Sequence, residues 1–324
     1  MNRRALLVFL LALGVLPAVS PAAAEPEPDF IAINPRGVVP VAMDGGAFVF
    51  AADLFSLTTG EKIGTFTDRG TCSTSAPPPC LVFDVVTTFR LPGGDVVNRA
   101  QVSAAPDPTR PGFAFVAFRP ATDTIVSGTG RFAGRTGRVT GWGDADMRDF
   151  PRRIGLDVFT VIRFNPADSK VPGSRELFAG SGSGLPGFFP AQHFRSEGVN
   201  ESTDPTRFLF STDVFSLSDG SLRATVKDEI TCSAGPPPCV VLDVTTVIRY
   251  PDGEVTARSQ VPLAPDPQRP GFAVFATRPT SDNIVSGTGA YAGRTGRFLV
   301  NGSVDMRSFP DPLPFEGLSR LVFN

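Results

Sequence analysis

Apolar and polar residues alternate with a period of two along much of this chain. Leu81, Phe83, Val85, Thr87 and Phe89 interleave with Val82, Asp84, Val86, Thr88 and Arg90, and Val240, Leu242, Val244, Thr246 and Ile248 repeat the pattern later. Successive side chains of a strand point to opposite faces, so this spacing predicts a strand with one buried face and one mixed face. Pro92-Gly93-Gly94 and Pro251-Asp252-Gly253 end the two runs with tight-turn chemistry, and Val96 to Val102 supplies the return strand of a hairpin. The same reading places strands at Ala47 to Leu57, Ile63 to Cys72, Gly112 to Arg119, Gly137 to Met147 and Asp157 to Phe164, with a weaker one at Phe30 to Asn34. No helical period is sustained anywhere after the first residues, and 33 glycines and 32 prolines punctuate the chain. The expected fold class is all-β.

The pattern occurs twice. Asp53-Leu54-Phe55-Ser56-Leu57 returns as Asp213-Val214-Phe215-Ser216-Leu217, and Ile125 to Gly130 returns unchanged as Ile284 to Gly289. The offset is 160 residues before the loop Cys72 to Cys80 and 159 after it, because the matching loop Cys232 to Cys239 is one residue shorter. A period of that length fits a whole duplicated domain and is far too long for a solenoid repeat. About eight short antiparallel strands per copy most easily hide their edges by closing into a barrel; a sandwich is the alternative. The expected layout is a leader over 1–24, a first barrel over 25–165, a Gly/Pro/Ser-rich linker over 166–188 and a second barrel over 189–324.

The segment Ile125-Val126-Ser127-Gly128-Thr129-Gly130-Arg131-Phe132-Ala133-Gly134-Arg135-Thr136-Gly137 resembles a stretch that precedes a late strand in the allene oxide cyclase and dirigent barrel superfamily. Phe50 through Phe55, Gly60 to Gly64 and Gly70-Thr71-Cys72 are similar to the early hairpin of the cyclases. The resemblance implies two tandem eight-stranded antiparallel barrels of calycin type. It also implies a pocket with a glutamate on the first strand, and on the next a phenylalanine followed two residues later by a water-holding asparagine. Phe50 and Phe210 match the phenylalanine, whereas Ala52 and Thr212 replace the asparagine and Ala32 and Gln192 stand in the glutamate's place. Asn34 matches a neighbouring asparagine in copy one only. A methyl group cannot stabilise a developing cation, so the known chemistry of the relatives is expected to be absent.

Composition narrows the setting. Asn2-Arg3-Arg4, the apolar run Ala5 to Val19 and Ala22-Ala23-Ala24 read as a cleavable secretory leader, with an uncleaved anchor as the alternative. The protein is expected to be secreted or periplasmic, with no membrane-spanning segment after leader removal. A net charge of −2 gives no basic surplus for nucleic acid. Four cysteines in such a chain read as disulfides. Three connectivities exist, and duplication favours Cys72 with Cys80 and Cys232 with Cys239. His193 is the single histidine and copy one lacks it, so neither a zinc site nor a Ser/His/Asp triad is expected, and no cofactor is.

Aspartates repeated in both copies, such as Asp107/Asp266 and Asp123/Asp282, fall at turn positions. Asp84 sits in mid-strand and is expected to face solvent or an arginine from a neighbouring strand. The clue that remains is a surplus of phenylalanine, 28 against two tyrosines and one tryptophan. Phe48, Phe50, Phe83, Phe89, Phe208 and Phe210 are the candidate lining of an apolar pocket. The preferred expectation is a non-catalytic tandem barrel that binds a small apolar ligand or serves as an envelope or surface interaction module. The alternative is a cyclase- or dirigent-like enzyme that confines a reactive apolar intermediate.

Overall fold

The protein is described from a computed structural model covering residues 30–73, 80–165, 192–196, 200–202, 204, 207–217, 221–233, 239–277, 279–308 and 313–324, with the backbone alone for 193–196. The leader, the linker over 166–188 and the side chain of His193 lie outside the described residues. The first copy contains β1 (Phe30–Pro40), β2 (Ala42–Asp44), β3 (Ala47–Ser56), β4 (Lys62–Cys72), β5 (Val82–Leu91), β6 (Gly94–Pro106), β7 (Phe113–Phe118), β8 (Ile125–Gly128), β9 (Gly137–Asp146) and β10 (Arg153–Phe164). The second contains β11 (Gln192–Ser196), β12 (Arg207–Ser216), β13 (Leu222–Cys232), β14 (Val241–Tyr250), β15 (Gly253–Pro265), β16 (Phe272–Ala276), β17 (Ile284–Gly287), β18 (Gly296–Asp305) and β19 (Phe315–Phe323).

Both copies close into antiparallel rings of eight strands. In the first, β1-β10-β9-β7-β6-β5-β4-β3 returns to β1, and in the second β11-β19-β18-β16-β15-β14-β13-β12 returns to β11. The short β2 and β8, and β17 in copy two, pair on the outside of this circuit. All eight strands expected from the sequence are ring strands. The one that read as weak, β1, is 11 residues long. Its alternation was hidden because both faces are covered: Ile31 and Ile33 belong to the interior of barrel one, while Phe30 and Ala32 face the second barrel. The two disulfides join Cys72 to Cys80 and Cys232 to Cys239, with Cα atoms 5.7 and 5.5 Å apart. Asp84 is exposed and accepts a hydrogen bond from Gln101 Nε2 at 2.9 Å, so it faces solvent as expected.

One end of each barrel is plugged by the glycine bend. Gly130 and Gly289 adopt φ of 55° and 56°, and a Cβ at either would fall within 2.0 or 2.1 Å of the carbonyl oxygen of Gly93 or Asp252. Only glycine permits that left-handed turn at such close approach. The following single helical turn carries Phe132 or Tyr291 into the barrel end, where the rings stack on Phe164 and Phe323 at 5.7 and 5.9 Å. The interior is therefore closed at that end by its own aromatic ring.

The barrels dock through outward-facing residues of equivalent strands. Ala105, Phe115, Ala117, Trp142 and Phe159 pack with Ala264, Val274, Ala276, Leu299 and Leu318 in one buried cluster. Ala105 matches Ala264, and Ala117 matches Ala276, in the repeat, and β6 meets β15, β7 meets β16 and β9 meets β18, so equivalent strands face one another across the contact. An Arg119–Glu316 ion pair and the Arg320 guanidinium, 5.3 Å from the Phe159 ring centre, complete the contact. Trp142, the single tryptophan, reports on this interface. Leu318→Asp should shift its emission to longer wavelength while far-ultraviolet circular dichroism keeps the β signature; an unshifted emission in a folded variant would refute the docking role of Leu318.

Candidate functional site

Ring closure fixes which side chains face inward. On β3 these are Phe48, Phe50, Ala52 and Leu54; on β4, Phe66 and Asp68; on β5, Phe83, Val85, Thr87 and Phe89. The matching interior of barrel two is Phe208, Phe210, Thr212 and Val214 on β12, Val226 and Asp228 on β13, and Leu242, Val244, Thr246 and Ile248 on β14. All six phenylalanines singled out from the sequence therefore border a cavity, four in barrel one and two in barrel two. Ala32 and Gln192 border neither and are not equivalent: Ala32 faces the other barrel, whereas Gln192 pairs with Ser216 and Ser319 as Ile33 pairs with Ser56 and Thr160, one position on from the expected match, and accepts a hydrogen bond from the Tyr250 hydroxyl at 2.8 Å. Asn34 is also turned outward, donating to Asp157 Oδ1 at 2.8 Å and to the Val158 carbonyl at 2.9 Å.

The two cavities differ in size. Barrel two encloses about 380 Å³ and barrel one about 100 Å³. Phe66 and Phe89 are register partners in barrel one, and their places are taken by Val226 and Ile248, also register partners, in barrel two. Leu242 likewise replaces Phe83. Phe275 and Phe315, standing where barrel one has Val116 and Leu156, refill only part of the space.

A carboxyl group occupies the same place in each interior, and the sequence reading overlooked it. Phe50, Asp68, Thr87 and Asn98 are successive register partners across β3, β4, β5 and β6. Phe210, Asp228, Thr246 and Ala257 form the corresponding row across β12 to β15. Thr246 Oγ1 donates to Asp228 Oδ1 at 2.7 Å, and Thr87 hydrogen-bonds Asp68 in the same way. Each aspartate is half-buried as a residue because part of it borders the cavity, and among the described residues no basic side chain lines either cavity. Burial dominates over the threonine hydrogen bond and pushes the Asp68 carboxyl up to about 7 and that of Asp228 up to about 6. Both can hold a proton near neutral pH and so can donate as well as accept a hydrogen bond.

Among the described residues no three His, Cys, Asp or Glu side chains converge as metal ligands. No helix of the described residues is long and apolar enough to cross a membrane. No protein-family model matches the chain, and no curated protein matches it. Among solved structures, a chain described as pyocyanin demethylase is similar at 14% identity, covering 42% of this chain and 99% of that one, with a TM-score of 0.23. A likeness of that size carries no argument about activity. Fold and site together define a tandem eight-stranded barrel protein in which, among the described residues, one carboxyl lines each interior cavity.

The raised carboxyls set a pH dependence. The folded chain retains protons that the unfolded chain, with carboxyls near 3.8, releases, so stability falls as pH rises from about 4 through 6 for Asp228 and 7 for Asp68. In the double variant Asp68→Asn/Asp228→Asn that loss should vanish. Its melting temperature relative to wild type should climb between pH 4.5 and pH 7.5, by on the order of 5 °C, and level off above. A difference that stays flat across this range in thermal scans would show that the carboxyls ionise normally.

Proposed function

We propose that the mature protein is an extracytoplasmic binder of a small apolar molecule, held in the second barrel, with Asp228 and Thr246 addressing its one polar group. The observation that carries this reading is the cavity of about 380 Å³, walled by Phe208, Phe210, Val226 and Ile248 with a single carboxyl. That volume and that ratio of apolar wall to polar handle are typical of small-molecule sites. The leader read from residues 1–24 and a cystine in each copy support an oxidising compartment outside the cytoplasm. The resemblance to allene oxide cyclase and dirigent barrels is consistent with an apolar guest, although the cyclase glutamate and asparagine have no equivalents here.

A second reading is favoured by the Asp228 carboxyl. A proton donor near neutral pH inside an apolar chamber is suited to a cyclase- or dirigent-like role, in which a confined intermediate is protonated or steered during ring closure or coupling. Asp228→Asn separates the two: it should leave apolar binding within a few-fold and remove any turnover.

Binding is tested with N-phenyl-1-naphthylamine, whose fluorescence rises in apolar surroundings. Wild type should give a saturable rise at one site per chain. Val226→Phe/Ile248→Phe, which installs the wall of barrel one, should weaken it more than about tenfold, since more than 1.4 kcal/mol of apolar contact is at stake. Equal titrations for the two proteins would rule out the second barrel as the site.

A further inference from the structure

The small cavity of barrel one makes a demand that the large one does not. Asp68 Oδ1, Asn98 Oδ1 and Thr160 Oγ1 are each enclosed without a hydrogen-bond partner, and all three residues border the same space of about 100 Å³. Asn98 and Thr160 are 3% and 0% exposed. Buried oxygens are nearly always paired, so three orphans around one small cavity call for a guest that donates hydrogen bonds. Asp68 and Asn98 flank Thr87 in the cross-strand row, while Thr160 comes from β10, which stands opposite β5 in the ring. The three oxygens thus approach the space from two sides.

The remaining wall is aromatic. Phe48 packs edge-on against Phe83 and Phe150 at 5.4 and 6.0 Å, and Phe66 meets Phe50 edge-on at 5.9 Å. Aromatic rings attract cations through their negative faces. Among the described residues that line the cavity Asp68 is the one titratable side chain, and none of them is an arginine or lysine that could neutralise it. Three oxygens are too few to replace the coordination shell of a hard metal cation, which takes six or more. Three N–H donors on one nitrogen are matched one to one.

We propose that the cavity of the first barrel binds a small primary ammonium group, directing its three N–H bonds to Asp68 Oδ1, Asn98 Oδ1 and Thr160 Oγ1 and its short alkyl end to the phenylalanine rings. The second barrel keeps the aspartate and threonine of this row but has Ala257 in place of Asn98, so it lacks the acceptor set while gaining volume. The two interiors then serve different guests, and this assignment stands apart from the apolar site of barrel two.

The test is calorimetric titration of the mature chain with methylammonium chloride at constant chloride concentration. One site per chain should saturate at pH 8, with affinity about tenfold lower at pH 6, because protonation of Asp68 competes with the cation. Tetramethylammonium, which has no N–H, and sodium should not bind there. Asp68→Asn should abolish binding and Asn98→Ala should weaken it at least about fivefold, whereas Asp228→Asn should change nothing. Asn98→Ala copies the residue of barrel two and so tests the site even where Asp68→Asn fails to fold. Absence of saturation at about 100 mM methylammonium, equal binding of tetramethylammonium or sodium, or titrations unchanged in Asn98→Ala would each overturn the assignment.

Discussion

The pairing that closes each ring is the constraint on which the rest depends. In barrel one it is the antiparallel contact of β1 with β3, where Ile33 to Arg36 meet Ser56 to Asp53. In barrel two β11 meets β12 from Gln192 to Arg195. With no edge left, each ring residue is committed to one side of the wall, and a slip of one residue would turn all of them over. Inward positions become core, plug or cavity; outward positions become solvent face or docking face. Phe159 and Thr160 show how sharp the division is, since one packs against the second barrel and the other faces the cavity of the first.

Within the inward set, the duplicated rows separate what the fold requires from what the cavity selects. The glycine bend, its aromatic plug and the Asp–Thr pair recur at matching positions, whereas Phe66, Phe89 and Asn98 are exchanged for Val226, Ile248 and Ala257. A plug is a packing requirement. An aspartate inside an apolar chamber is the opposite, because desolvation opposes its charge and the threonine offsets only part of that cost. Its presence in both barrels argues for a use that outweighs the lost stability, since asparagine would keep the shape and the hydrogen bond without the penalty.

Much of this is legible in the sequence. Strict alternation marked β5 and β14 because one face meets water, and the same logic located the six cavity phenylalanines. It failed for β1, where the second barrel covers the outer face and removes the polar half of the pattern. It failed again for the interior carboxyls. Asp68 lies in Thr65-Phe66-Thr67-Asp68-Arg69 and Asp228 in Lys227-Asp228-Glu229, where a polar or charged residue on each side masks which face the aspartate takes. The signal was parity: Asp68 shares a face with Phe66, and Asp228 with Val226 and Ile230, two residues away on the inward side. Orphaned oxygens could not be read at all, as Asn98 and Thr160, 62 positions apart in the chain, reach one cavity from β6 and β10.

The independence of the two faces also explains how one chain can hold two unlike chambers. Docking rests on outward residues, and those that match in the repeat, Ala105 with Ala264, Ala117 with Ala276 and Leu57 with Leu217, are small or aliphatic in both copies. Changing Phe66 to valine or Phe89 to isoleucine touches none of them. The outer faces of β7, β9, β16 and β18 would expose contiguous apolar surface if the copies were apart, so each barrel needs the other as a cover. Joining both in one polypeptide fixes the ratio at one to one and brings each face its partner at high effective concentration. The interiors, freed from any part in that contact, can diverge in volume and polarity while the shared wall stays intact.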